Sequence, residues 1–457
     1  MKKYSRSLAL LLALLMMISV AACAGESIPE ETTEAETAST AAPETTETVT
    51  EVTTEEPNVS VVAPETTAET SAETAPETEP PEASDTIRVI MQNGVGEAIL
   101  SGLADEKHKT LLKERENALL REFGLEIELS RTDNLISKIE NLVLAGEADY
   151  DLILTDPMNG TKMISSGLLE DLSGIGINIK NAPGIRESIT ESLTVGGKVY
   201  LYSSYALMSD IFSAYALRCS GASLTSNLVS KVKSGDFTTE ILLTHIKDTG
   251  FSLSSASALT LYRGVGGEIF TKTESGIPTS ALTDSTRFAS TYSTALTLAS
   301  AATSDSAAFT LEKITSLSSG DVYLPIPKAS ADANYSVPLD SATLSILAAP
   351  VGVISGTRLN YLVSSLNVSS GAYREAVRNE ITKNGAGSAE ELLKIIEDNS
   401  ALDLGILFGW GDIDDLIENG LVNGTSADTI LSDRITEMRN KAVDAAAKIV
   451  ADRLGIK

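Results

Sequence analysis

Residues 87–154 constrain the fold more tightly than any other part of the chain. An apolar run at residues 87–91 is broken by Gln92-Asn93-Gly94, the pattern of a buried strand ending in a loop. Leu112, Leu119 and Phe123 then recur on one face of a charged stretch, and Gly124 supplies the left-handed residue on which a helix stops. Leu125, Ile127 and Leu129 alternate with Glu126 and Glu128, so a strand with one buried face follows. Asp133 is a candidate cap for the next helix, in which Leu135, Ile139, Leu142 and Val143 share a face before Gly146 ends it. Residues 150–154 form a third strand. Strand, helix, strand, helix, strand predicts parallel pairing through right-handed crossovers. Open sheets of this kind bind ligands at the carboxyl ends of their strands, here Gln92-Asn93-Gly94 and residues 155–159.

The 372 residues beyond position 85 are too many for one core, which stops growing at ~250–300 residues, so two lobes are expected. Two cysteines allow neither a disulfide framework nor a Cys-based zinc cluster. Of the formal charge of −28, much lies near one end: residues 24–85 carry 17 acidic side chains and no Lys, Arg or His. Residues 86–457 carry 32 basic and 46 acidic side chains, a net −14 that repels phosphate backbones and anionic headgroups. A nucleic-acid partner is therefore not expected. His108 and His245 are the only histidines, too few for a His-rich metal site, and a Ser-His-Asp triad would have to use one of them. The G-x-S-x-G, H-E-x-x-H and P-loop patterns are missing. Gly264-Val265-Gly266-Gly267 lacks the P-loop Lys and hydroxyl and reads as a turn. Asp412, Asp414 and Asp415 can be drawn as a glycosidase acid and base. An acidic first helical turn accounts for them equally well, with Ile413, Leu416 and Ile417 as the apolar face. No enzyme, cofactor or metal is expected.

The first residues read as an address. Lys2, Lys3 and Arg6 precede an apolar run of ~15 residues, short of the ~20 that span a bilayer, so residues 1–22 are expected to be a signal peptide. Val20-Ala21-Ala22-Cys23 resembles the bacterial lipobox, in which the Cys sulfur receives a diacylglycerol after cleavage; the alternative is ordinary secretion with an incidental Cys23. Cys219 is then a small buried hydrophobe. Glu, Thr, Ala, Pro, Ser and Val make up almost all of residues 24–85, with no apolar face at either period. Such a segment cannot offset its ordering entropy by burial and is expected to be a disordered linker from residue 23 to 85. Its reach is roughly 40 Å if flexible and ~190 Å if extended. An acidic calcium sponge or a glycosylated stalk is the alternative to a plain spacer.

Further motifs follow in a recognisable order. Tyr150-Asp151-Leu152-Ile153-Leu154, continuing to Ser166-Gly167-Leu168-Leu169-Glu170-Asp171-Leu172, resembles a signature of the extracellular solute-binding proteins, the receptors of ABC importers. Leu193-Thr194-Val195-Gly196-Gly197-Lys198-Val199-Tyr200, Val232-Lys233-Ser234-Gly235-Asp236-Phe237-Thr238, and Leu324-Pro325-Ile326-Pro327-Lys328 are similar to later motifs of that family. Asp403-Leu404-Gly405 with Gly409-Trp410-Gly411 resembles a stretch of one Gram-positive branch. Single motifs of this kind say little; five in order say much more. The resemblance implies an α/β, two-lobed periplasmic-binding-protein-like fold of type II, similar to maltose-binding protein. It places lobe one at residues 86–207 with a return at 322–367, and lobe two at 208–321 and 368–457. Where the family carries an Asn-Lys pair this chain has Arg218-Cys219, and where it often has Gly-Asp this chain has Ser203-Ser204, which bears on the ligand rather than the fold.

Eleven residues are candidates for ligand contact. Gln92, Asn93, Asp156 and Asn159 stand at strand ends, although Asp156 and Asn159 serve equally well as helix caps. Tyr202, Ser203, Ser204 and Tyr205 stand near the first crossing and offer stacking and hydrogen bonds. Asp340 and Ser341 follow the implied return strand. Trp410, the sole tryptophan, is either a core residue between lobes or a platform for a sugar ring. The expected function is a membrane-anchored receptor that closes on a small solute and delivers it to an ABC permease outside a Gram-positive cell, working as a monomer. The charge and the Ser, Asn, Gln and Tyr content of these segments favour an uncharged sugar or oligosaccharide. A surface or sensory lipoprotein of the same fold is the alternative, and an extracytoplasmic hydrolase a more remote one.

Overall fold

The computed structural model describes residues 85–95, 110, 114, 117, 120–122, 124–147, 149–174, 186–203, 209–221, 223–224, 226–255, 257–302, 307–352 and 370–456. The signal peptide, Cys23, the linker to residue 84 and the Leu112, Leu119 and Phe123 face lie outside the described residues.

The first lobe opens with β1 (Asp85–Gln92), β2 (Leu125–Thr132), α1 (Leu135–Ala145), β3 (Leu152–Thr155), α2 (Pro157–Ser166) and α3 (Glu187–Ser192). β1 is parallel to β2, Asp85 opposite Leu125 and Gln92 opposite Thr132, and parallel on its other side to β3, Ile90 opposite Ile153. The predicted parallel strand triplet is thus present, with the helix between its second and third strands, and fully buried Ile87, Ile90 and Met91 lie on the middle strand. The α1 face buries Leu135 and Ile139, and Gly146, at φ 70°, closes the helix by donating its N–H to the carbonyls of Leu142 and Val143. Asp133 does not cap this helix. Asn134 takes the cap position without a side-chain bond, and Asp133 accepts from the Asn93 amide at 2.6 Å instead.

The second lobe continues with α4 (Ser209–Ser213), β4 (Tyr215–Cys219), α5 (Ser226–Lys233), α6 (Thr239–Thr249), β5 (Leu253–Ser255), α7 (Ala258–Gly264), the β6 (Phe270–Lys272) and β7 (Pro278–Ser280) hairpin, α8 (Ser285–Ala301), β8 (Phe309–Lys313) and β9 (Val322–Leu324). Its sheet runs β5-β8-β4-β9. β9 pairs with β4, so residues 322–324 belong to the second sheet and the return to the first begins after them, later than the expected residue 322. Buried Tyr262, Phe288 and Tyr292 form an aromatic cluster with 5.2 Å between the last two ring centroids.

The chain then passes back through β10 (Val337–Pro338) to β11 (Ile346–Ala348), which adds antiparallel to β3 and completes the sheet β11-β3-β1-β2. The helical end comprises α9 (Ser370–Thr382), α10 (Ala389–Asp398), short β12 (Ser400–Ala401) parallel to β10, α11 (Leu404–Phe408), α12 (Ile413–Val422), α13 (Ala427–Ser432) and α14 (Arg434–Leu454). Expected on lobe two, this segment also reaches the first lobe. Arg453 on α14 donates to the Ser165 carbonyl, and the Lys198 ammonium to that of Leu454 at 2.8 Å. Arg374 and Arg378 on α9 grip buried Glu397 on α10 at 3.2 and 2.8 Å, while Arg186 reaches the Glu397 carbonyl at 2.6 Å.

Candidate functional site

The carboxyl ends of β1 and β3 bring Gln92, Asp156 and Asn159 together. The Asn159 side-chain amide donates to the Gln92 side-chain oxygen at 2.6 Å and to Asp156 at 2.7 Å. Asp156 also accepts the Asn159 backbone N–H at 2.9 Å and caps α2, with Pro157 at the first helical position where its missing N–H is harmless. Both Asp156 oxygens are engaged, so its role here is to start the helix. Asn93, turned toward Asp133, is exposed beside this cluster rather than in it.

The same helix receives Trp410. Thr161 on α2 donates its hydroxyl to the Leu407 carbonyl at 2.8 Å and seats α11 against the first lobe. Trp410, half-buried, stacks at 32° on Phe408 with centroids 4.3 Å apart, and lies 5.7 Å from Phe270. The Arg439 guanidinium fixes the following turn by donating to the carbonyls of Gly411 (2.9 Å) and Asp412. Met158, Thr161, Lys162, Phe408 and Trp410 border a concavity of about 330 Å³. Trp410 therefore packs with the core and also faces a concavity.

The crossing residues depart from expectation. Tyr202 has no exposed surface, and its backbone exchanges two hydrogen bonds of 2.9 Å with Leu347 at the sheet edge. Burial pushes its phenol well above the ordinary tyrosine value, and no partner for the hydroxyl exists among the described residues. A ring enclosed in this way is core and cannot stack on a ligand. Ser203 is 1% exposed, its N–H bonded to the Thr190 hydroxyl at 3.1 Å, which makes it structural too. Ser204 and Tyr205 lie outside the described residues. Asp340 is an ion-pair partner rather than a free carboxylate: it accepts from the Lys313 ammonium at 2.9 Å and from the Ala342 N–H at 2.9 Å, beside buried Ser341.

A second concavity, of about 1030 Å³, was not anticipated and contains none of the eleven candidates. Arg263, Phe270, Lys272, Arg287, Tyr335 and Asp403 are among its lining residues. Asp403 caps α11 through the Gly405 N–H at 2.7 Å and takes the Ile269 N–H at 2.6 Å. Burial raises its carboxyl above the ordinary value, with Arg263 and the N–H donors opposing. Burial lowers Lys272, whose ammonium donates to the Glu191 carbonyl at 2.6 Å. Phe270 borders this concavity and touches Trp410, so the row Phe270, Trp410, Phe408 joins the large concavity to the small one. The one sequence sign of this site was a lone charged residue, Arg263, between apolar Leu261, Tyr262 and Val265.

No family model and no curated protein matches the chain. Solved structures do. The cyclic α-maltosyl-1,6-maltose binding protein of Arthrobacter globiformis aligns at a TM-score of 0.50 and 13% identity, over 79% of this chain and 99% of that one. The fold is that of a two-lobed extracellular solute-binding protein. The galacto-N-biose-/lacto-N-biose I-binding protein of the ABC transporter from Bifidobacterium longum gives 0.48 and 12%, over 80% and 97%. In this solute-binding fold the two four-stranded sheets are the lobe cores, and α2, α3 and α11 stand beside the concavities described above.

Proposed function

We propose that this chain is an extracellular receptor that binds a carbohydrate and delivers it to an ABC permease, anchored to the outer face of the membrane by lipid on Cys23. The observation that carries the proposal is the aromatic row Phe270, Trp410, Phe408, which runs from the concavity of about 1030 Å³, lined by Phe270, to that of about 330 Å³, lined by Trp410 and Phe408. Aromatic faces take the C–H faces of sugar rings, and the surrounding hydroxyl, amide and carboxylate groups take the ring hydroxyls. The volume of about 1030 Å³ stands at the upper limit of the ~300–1,000 Å³ typical of small-molecule sites. The fold-mate from Arthrobacter globiformis is a cyclic α-maltosyl-1,6-maltose binding protein, which supports a carbohydrate as the solute. A sugar that touches both lobes stabilises the closed arrangement by its differential affinity, and no bond-making is required of the protein.

A thermal-shift screen of the full chain against neutral and acidic oligosaccharides tests the reading. Binding at 100 Kd adds about 2.7 kcal/mol of stability. Trp410→Ala should weaken whichever sugar binds by tenfold or more, since a stacked anchor is worth ~2 kcal/mol. No shift with any sugar overturns the receptor reading. Cys23→Ser should move the protein from the membrane fraction to the medium, and retention in the membrane removes the lipid anchor.

A further inference from the structure

Charged side chains around the large concavity are mostly answered within the protein. Arg287 pairs with Glu268 at 2.8 Å, Lys272 donates to the Glu191 carbonyl, Asp284 caps α8 by accepting the Arg287 N–H at 3.1 Å, and Asp403 is occupied by backbone donors. Arg263 differs. It is 7% exposed, lines the concavity, and makes one hydrogen bond among the described residues, a long one of 3.3 Å to the Leu339 carbonyl. Among the described residues no carboxylate stands within the 4 Å of an ion pair. Asp403 and Asp340 act on it only through the field, and burial works against its charge. A guanidinium carries five N–H donors in a planar fork, and a desolvated cation without a counter-ion is unfavourable. Only one of these donors is used within the described residues, and Arg263 lines the concavity, so a further partner is sought in the ligand. The arrangement suits a planar two-oxygen anion, which a guanidinium receives with two parallel bonds.

Resting on the receptor reading, we infer that the solute is an acidic carbohydrate and that Arg263 receives its carboxylate, with a neighbouring sugar ring against Phe270. This departs from the uncharged solute expected from the sequence. That expectation followed from the lack of clustered arginines, whereas a single buried arginine is enough to pair one carboxylate.

The test is isothermal titration of the full chain with two probes of equal length, trigalacturonate and maltotriose, together with a galacturonate trimer whose carboxyls have been reduced to alcohols. The expected result is binding of trigalacturonate at least tenfold tighter than either neutral trimer, and a loss of that preference in Arg263→Gln. A cooperative thermal transition of Arg263→Gln without sugar shows that the variant is folded. Arg263→Lys should keep part of the preference, since it retains charge but not the fork. Equal affinity for charged and neutral trimers, or a preference unchanged in Arg263→Gln, overturns the assignment and leaves the receptor reading intact. Failure of all three trimers, with failure of every sugar in the thermal-shift screen, overturns both.

Discussion

Replacing Glu397 by Leu should destabilise the protein by about 4 kcal/mol. The Glu397 carboxylate is 4% exposed and lies 3.2 Å from Arg374, itself 5% exposed, and 2.8 Å from Arg378, which is 22% exposed. Removing one partner of a buried ion pair leaves an uncompensated charge at a cost of about 3–5 kcal/mol. Arg374 bears most of this, because Arg378 still reaches solvent and its share is screened. The Arg186 contact is to the Glu397 backbone carbonyl and survives the substitution. Urea unfolding followed by the fluorescence of the sole tryptophan, Trp410, measures it as a lower midpoint at unchanged slope. A triple variant, Arg374→Met, Arg378→Met and Glu397→Leu, should recover to within about 1 kcal/mol of the parent, since a buried ion network is replaceable by apolar packing. If Glu397→Leu alone stays within about 1 kcal/mol of the parent, the triad is not the buried, charged joint described here.

Two further outcomes follow from the packing. Burial pushes the Cys219 thiol up to about 11, a hydrogen bond with Ser223 opposing, so it should resist thiol reagents at pH 8 until the protein is unfolded. Because this value lies above the ordinary 9.0, its contribution is complete below about pH 9 and is lost as pH rises through 11, a span worth roughly a few kcal/mol. Stability measured from pH 9 to 11 should therefore fall less in Cys219→Val, and rapid native labelling at pH 8 would contradict the burial. Gly264→Ala should cost about 1–3 kcal/mol, because a Cβ there would lie 2.3 Å from the Ile326 side chain in a filled core, and Ile326→Val in the same chain should restore part of it. A neutral Gly264→Ala, read by the same urea assay, would show that α7 can retreat from Ile326.

Sequence alone determined whatever is decided within a dozen residues. The alternation at 125–129, the 135–139 helical face, the stop at Gly146 and the cap at Asp156 each follow from backbone periodicity or from a side chain reaching a neighbouring N–H. The order of these elements, with the right-handed crossover rule, was enough for the parallel triplet β2-β1-β3. Trp410 was legible as a candidate because a lone tryptophan between glycines has few ordinary uses, and the structure seats it both on Phe408 and beside a concavity. Tertiary structure decided the rest. Asp133 turned to Asn93, 40 residues away, instead of to its own helix, and Asp340 paired with Lys313 across a strand. Tyr202 had the polar neighbours of a surface segment, yet its pairing with Leu347 drew the ring into the core. The large concavity joins residues from 188 to 404, and Arg263 acquires its meaning only there, because its desolvation and the lack of an ion-paired carboxylate among the described residues depend on which distant elements surround the side chain.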